Sequence, residues 1–142
     1  MINALIRAIS SALNTEFGDN YECYMEEIKQ DLNKPCFFIQ CLNPTEELFI
    51  GKKYFRQNQF CIQYFPESDS GPNAECHSVA ERLLDCLKWL PMKDSLVMGR
   101  KMHYEVTEGM LHFFVNYDMF VYKVAESPPV MEEVSAETLV KG

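Results

Sequence analysis

The sequence predicts an α+β domain with the element order α-β-β-β-α-β-β. A mainly antiparallel sheet of about five strands carries two amphipathic helices packed on one face. Three observations predict it. Two segments, Ile2 to Phe17 and Asn73 to Leu90, repeat apolar residues at helical spacing. Other segments alternate with period two and are rich in aromatic and β-branched residues. Between them stand Gly and Pro at Gly18, Pro35, Pro44, Pro66, Pro91 and Gly109. With 142 residues, the length suits one domain. We expect it to cover 1–124, followed by an acidic tail, 125–142, that is flexible or orders on assembly.

In order, Ile2, Leu5, Ile6, Ile9, Ala12, Leu13 and Phe17 form one stripe, and Gly18 closes the first helix. Tyr21 to Glu27 alternates weakly and reads as a short strand. Asn33-Lys34-Pro35 is a turn. Cys36 to Leu42 is apolar on both faces and reads as an interior strand ended by Asn43-Pro44. Asn43 to Lys53 then reads as a connection. In Tyr54 to Phe65, Phe60, Ile62 and Tyr64 point one way, and Gln57, Gln59, Cys61 and Gln63 the other. Pro66 ends it.

The second helix has Asn73 as its expected N-cap. It aligns Cys76, Val79, Ala80, Leu83, Leu87 and Leu90, and Pro91 stops it. Ser95 to Val106 and Met110 to Val124 form a long hairpin about Thr107-Glu108-Gly109, where Gly109 takes a positive φ. Within it Leu111, Phe113, Val115, Tyr117, Met119 and Val121 share the buried face. The uncovered face of the sheet keeps Gln57, Gln59, Asn116 and Asp118.

Composition narrows function. Thirteen basic against twenty-one acidic residues give a net charge of −8. That disfavours sequence-specific or general nucleic-acid binding, which needs a basic face. No apolar run approaches the ~20 residues of a membrane span, and the N-terminal segment reads as structure in a cytoplasmic protein rather than as a leader. The six cysteines, Cys23, Cys36, Cys41, Cys61, Cys76 and Cys86, include no CxxC and are expected to be reduced and structural.

The search for chemistry finds no catalytic, cofactor-binding or metal site. Cys76 and His77 are helical neighbours about 100° apart and cannot meet as nucleophile and base. Cys36 and Cys41 project to opposite faces of one strand, which argues against zinc. His103 and His112 can face one another across the hairpin, a pairing better read as cross-strand packing than as a metal site. The carboxylate pairs Glu26-Glu27, Glu46-Glu47 and Glu132-Glu133 suit solvated faces. No phosphate loop, GxSxG or HExxH occurs. The better candidate is a cationic, aromatic cluster, Phe49, Lys52, Lys53, Tyr54 and Arg56, of the kind enriched at protein interfaces. A basic loop that balances Glu46 and Glu47, its aromatics dipping into the core, would look the same, and the residues leave both readings open.

Three segments, KPCFFIQCLNPTEELFIGKKYFRQNQFCIQYFP, CHSVAERLLDCL and KMHYEVTEGMLHFFVNYDMFVYK, together resemble the phage tail terminator family. Its members are encoded in phage and prophage tail operons of Gram-positive bacteria, and related operons encode contractile, headless, phage-tail-like bacteriocins. The likeness spans roughly Ile2 to Lys123. It implies a non-enzymatic virion protein of the tail and neck, assembled in the host cytoplasm, with an α/β fold. It further implies a ring, commonly a homohexamer, that caps the head-proximal end of the tail tube and stops its growth. Partners would be further copies of itself, the tube protein, and the sheath and head–tail connector or collar. DNA would pass the lumen unread, and six copies carry about −48 formally. The cluster around Lys53 would contribute to a subunit or tube contact. A head–tail joining or tail-completion protein is the neighbouring alternative. A non-virion assembly chaperone or binding module is the more distant one.

Overall fold

The computed structural model describes residues 1–26 and 33–124. Helix α1 (Ile2–Phe17) buries Leu5, Ile9, Leu13 and Phe17. Gly18 ends it with φ +88°, its N–H donating to Asn14 O, a backbone state in which a side chain would be strained. Strand β1 (Glu22–Tyr24) runs parallel to the start of β2 (Cys36–Ile50), which pairs antiparallel with β3 (Lys53–Phe65). Helix α2 (Pro72–Cys86) follows. Next come β4 (Trp89–Pro91) and β5 (Leu96–Met98), a separate two-stranded ribbon, and then β6 (Arg100–Thr107), β7 (Met110–Asn116) and β8 (Met119–Tyr122). The main sheet has six strands in the order β1-β2-β3-β7-β6, with β8 paired to β3 beyond the end of β7.

The buried stripes of both helices meet one face of the sheet in a single core. Leu5, Ile9, Leu13, Val79 and Leu83 pack with Phe37, Ile39, Phe60, Ile62, Tyr64, Leu111, Phe113 and Val115. Phe17, Tyr21, Phe37 and Tyr64 form an aromatic group at one end, with neighbouring ring centroids 5.0–6.2 Å apart. On the opposite sheet face Gln57, Gln59, Gln63, His112 and Asn116 stay at least partly open to solvent, as their alternation predicts. Cys61 is the exception on that face, buried at 4% exposure.

Several boundaries differ from expectation, each for a local reason. The sheet has six strands rather than five, and five strands follow α2 where two were expected. Asn43-Pro44 does not end β2. A bulge between Leu42 and Thr45, with Asn43 at φ +43°, absorbs the proline, and pairing resumes to Ile50. The expected connection is therefore strand. The N-cap of α2 is Gly71, with Pro72 at the first helical position, not Asn73. Leu87 and Leu90 are buried, but α2 ends at Cys86 and Leu90 belongs to β4.

The long hairpin is broken on both arms. Gly99 separates β5 from β6. Its N–H donates to Lys88 O at 2.7 Å, and a Cβ there would lie 2.8 Å from Leu87 O and 2.9 Å from Val115 Cγ2. Only glycine permits that approach. Tyr117 and Asp118 separate β7 from β8. The buried Tyr117 hydroxyl donates to Leu87 O at 2.6 Å, which turns the chain out of line. The turn itself is as expected: Glu108 (φ +54°) and Gly109 (φ +73°) form a two-residue connection between the paired Thr107 and Met110. Of the segment Tyr21 to Glu27, three residues form β1. Glu27, the polar stretch after it to residue 32, and the acidic tail lie outside the described residues.

Candidate assembly interface

Beyond the bulge and the Tyr117-Asp118 break, the sheet continues as a three-stranded arm. It consists of Thr45–Ile50 of β2, Lys53–Arg56 of β3, and β8. Glu46 pairs Arg56 and Glu47 pairs Phe55, while Phe55 pairs Phe120 and Lys53 pairs Tyr122 on the other side. Gly51 (φ +57°) and Lys52 turn the chain at the tip. The arm forms because its residues have strong strand propensity and a two-residue turn. It projects because none of its β3 residues reaches the core cluster.

The two faces of the arm are chemically distinct. On one, Phe120 sits between Phe49 (5.1 Å between centroids) and Phe55 (4.9 Å). The Lys53 ammonium lies 4.3 Å from the Phe120 ring centre, 5.6 Å from Phe49 and 5.9 Å from Tyr122. That is an ammonium held over three aromatic faces. On the other face Glu46 accepts from Lys123 and is 3.4 Å from Arg56 Nε, and Lys123 lies 4.7 Å from the Tyr54 ring centre. Leu48, paired with Tyr54, shares that face.

The five predicted interface residues are thus brought onto one arm but not onto one surface. Phe49 and Lys53 lie on the aromatic face, Tyr54 and Arg56 on the ion-paired face, and Lys52 at the tip. Sequence reasoning missed Phe120 and Tyr122, which sit 67 or more positions from Lys53 and join it only through the β3–β8 pairing. It also missed Leu48 and Ile50. The available signal was the apolar even positions of Met110 to Val124, which had no helix to cover them. The arm leaves Phe49 61%, Ile50 68% and Tyr122 74% exposed. Large apolar groups clustered in this way form an exposed patch and make the arm the candidate contact surface.

In the body the cysteines and histidines take up the following contacts. Cys76 is buried with its thiol toward Gly109 O, and His77 lies outside it, 3.2 Å from the Tyr104 hydroxyl. His103 and His112 do not pair: His103 stands opposite Phe114 and stacks on it, while His112 stands opposite Glu105 and contacts Gln63. All six cysteines are free, and burial pushes the Cys36 and Cys61 thiols up to about 11 and Cys86 to about 12, so they remain protonated at neutral pH. Tyr64 donates to Glu75 Oε2 at 2.5 Å, and the Glu67 and Ser68 N–H groups donate to the same carboxylate. Burial acts to raise the Glu75 pKa, but these three hydrogen bonds outweigh it and hold the carboxyl below its usual range. Among the described residues no group of side chains suits a metal ion, and no helix is long and apolar enough to cross a membrane.

No curated protein matches the chain. The sequence profile of a family described as phage tail terminator protein matches residues 4–129, which takes in the whole core, the arm and β8. On that match the chain belongs to the phage tail terminator family.

Proposed function

We propose that the chain performs its tail-terminator role as a closed ring of identical copies, a homohexamer, seated on the head-proximal end of the tail tube. The observation that carries this reading is the arm. It combines exposed aromatic and aliphatic side chains with Lys52 and Lys53 in a chain of net charge −8. A rigid, sheet-built projection of this kind forms specific contacts at low entropic cost.

The mechanism needs no bond-making step and no cofactor. A heterologous contact whose rotation closes gives a ring. One ring face complements the last tube ring. The opposite face lacks the surface that would accept another tube subunit, so growth stops there and the neck or collar, with its connector, attaches instead. A sheath, where the particle has one, would meet the same ring from outside. The negative charge of the assembled copies suits a lumen through which DNA moves without adhering. Residues 1–124 supply the assembling domain.

Electron microscopy of particles carrying a tagged copy, together with light scattering on the purified protein, tests the reading. The expected result is a six-fold ring at the upper rim of the tail. A protein that stays monomeric at high concentration and is absent from finished particles would instead be an assembly chaperone. Alanine at Phe49, Lys52, Lys53, Tyr54 and Arg56 in turn should weaken ring formation or docking, and normal assembly in all five would remove the arm from the mechanism.

A further inference from the structure

We propose that neighbouring copies join end to end: the tip of the arm of one copy seats in a pocket at the opposite pole of the next, where the loop after β3 meets the turn between β6 and β7. This rests on the ring reading and names the two halves of its subunit contact. A ring of identical copies needs two different, complementary patches on every copy. The molecule carries such a pair, opposite in charge and at opposite ends of one strand.

The tip is the cationic half. Lys52 is exposed at the turn, next to the exposed Phe49 and Ile50. The ion pairs among the described residues engage Arg56, Arg82 and Lys123. Lys52 and Lys53 take part in none of them. The pole is the acidic half. Phe65 at the end of β3, Pro72 at the start of α2 and Met110 at the start of β7 line a pocket of about 280 Å³. Asp69 and Glu108 line it too, both exposed and both outside those ion pairs. With Glu67 adjoining and Lys34 on the same pocket, the pole sets three carboxylates against one ammonium. Phe49 or Ile50 would enter between the apolar walls while the lysines meet the carboxylates. The recess beside β8, by contrast, carries Arg100 and Lys101 and would repel the tip.

The pocket is built in advance. The Glu75 carboxylate accepts from the Tyr64 hydroxyl and from the Glu67 and Ser68 N–H groups, which fixes the loop. The Gly71 N–H donates to Ser68 Oγ at 3.1 Å. The turn is set against α2, since a Cβ on Gly109 would lie 3.6 Å from Pro72 Cβ. A strand-built knob entering a fixed pocket gives up little conformational freedom. Placement agrees. Lys53 opens β3 and Phe65 closes it, about 40 Å apart at ~3.3 Å per strand residue. Knob and pocket therefore face opposite ways, head to tail.

A charge exchange between two full-length variants tests the joint. One carries Lys52→Glu with Lys53→Glu, the other Asp69→Lys with Glu108→Lys. None of the four positions lies in the core, so each variant should melt as the wild type does. Alone, each should need about tenfold or more protein to assemble, because like charges meet at every joint. Mixed in equal amounts they should assemble again, since copies that alternate around an even-numbered ring restore opposite charges throughout. Variants that assemble alone like the wild type would overturn the joint. So would a mixture that stays unassembled while the wild type forms rings. Either result leaves the ring reading standing, whereas a wild type that forms no ring removes both. Normal rings of the pole variant that fail only to dock on tubes would assign the pole to the tube subunit and also overturn the joint. As an independent check, carbodiimide treatment of wild-type rings mixed from unlabelled and isotope-labelled protein should link Lys52 or Lys53 to Asp69 or Glu108 of another copy. Rings without that link in peptide mass spectrometry would overturn the joint whatever the variants do.

Discussion

From Phe60 to Phe65, strand β3 lies between β2 and β7 beneath two helices, and its alternate residues Phe60, Ile62 and Tyr64 are almost wholly buried. From Lys53 to Arg56 the same strand lies between β2 and β8, and its residues stand outside the core cluster. The alternation of side chains does not change along the strand. What changes is whether something covers it. In the body, aromatic density supplies folding free energy through burial. In the arm, comparable density is left in water beside lysines, where it contributes little to folding and remains available for a partner. Substitutions should therefore separate stability from assembly according to which half they strike.

The largest effect is expected from Phe113→Ala in the body. The side chain is fully buried in the core on the sheet face that α2 covers, so its removal should cost about 3–5 kcal/mol in denaturant unfolding. A loss below about 1 kcal/mol would show that the core is not where the stability lies.

Next is Glu75→Gln, which weakens the charged hydrogen bonds to Tyr64 and to the loop before α2. We expect a loss of about 1.5–3 kcal/mol at neutral pH. The folded-state pKa of Glu75 is depressed. Its contribution is therefore present above the unfolded carboxylate pKa and disappears as pH falls through the folded value. The gap between wild type and variant should close in acid, and a gap independent of pH would contradict the assignment.

Smaller again is the effect of Phe49→Ala combined with Tyr122→Ala on the arm. Unfolding should change by less than about 1 kcal/mol, the scale of exposed cation–π contacts, while assembly is lost. Equal loss of both properties would erase the distinction between body and arm. The smallest effect is expected from deleting Glu126 to Gly142, which should leave cooperative melting unchanged. A broadened or lowered transition would assign that segment a part in the fold.

Much of this division was legible in the residues. The helical stripe of α1 and its closing Gly18, the Phe60-Ile62-Tyr64 face, the Glu108-Gly109 turn and the uncovered glutamine row all follow from local periodicity, and local periodicity is what sequence records well. The misreadings came from tertiary contacts. Pro44 signals an end, but a bulge accommodates it. Met110 to Val124 alternates without interruption, and nothing within it announces that Tyr117 will reach Leu87 O and divide it. Gly99 looks like an ordinary strand residue until Leu87 and Val115 close in on it. The candidate interface was half visible. Lys52 and Lys53 stood out in an acidic chain, whereas Phe120 and Tyr122 came into the site only through long-range strand pairing.

The Asn43-Pro44 bulge and the Tyr117-Asp118 break fall at the same level of the sheet, so only β3 passes between the halves unbroken. Asn58 locks that crossing: its amide nitrogen donates to Tyr117 O, its backbone N–H donates to Asp118, and its own carbonyl receives the Tyr117 N–H. Such a joint makes reach an adjustable dimension. Residue pairs could be added to or trimmed from the outer ends of β2 and β3 without shifting a single partner on the core side, so the span of the arm can vary while the chassis stays the same.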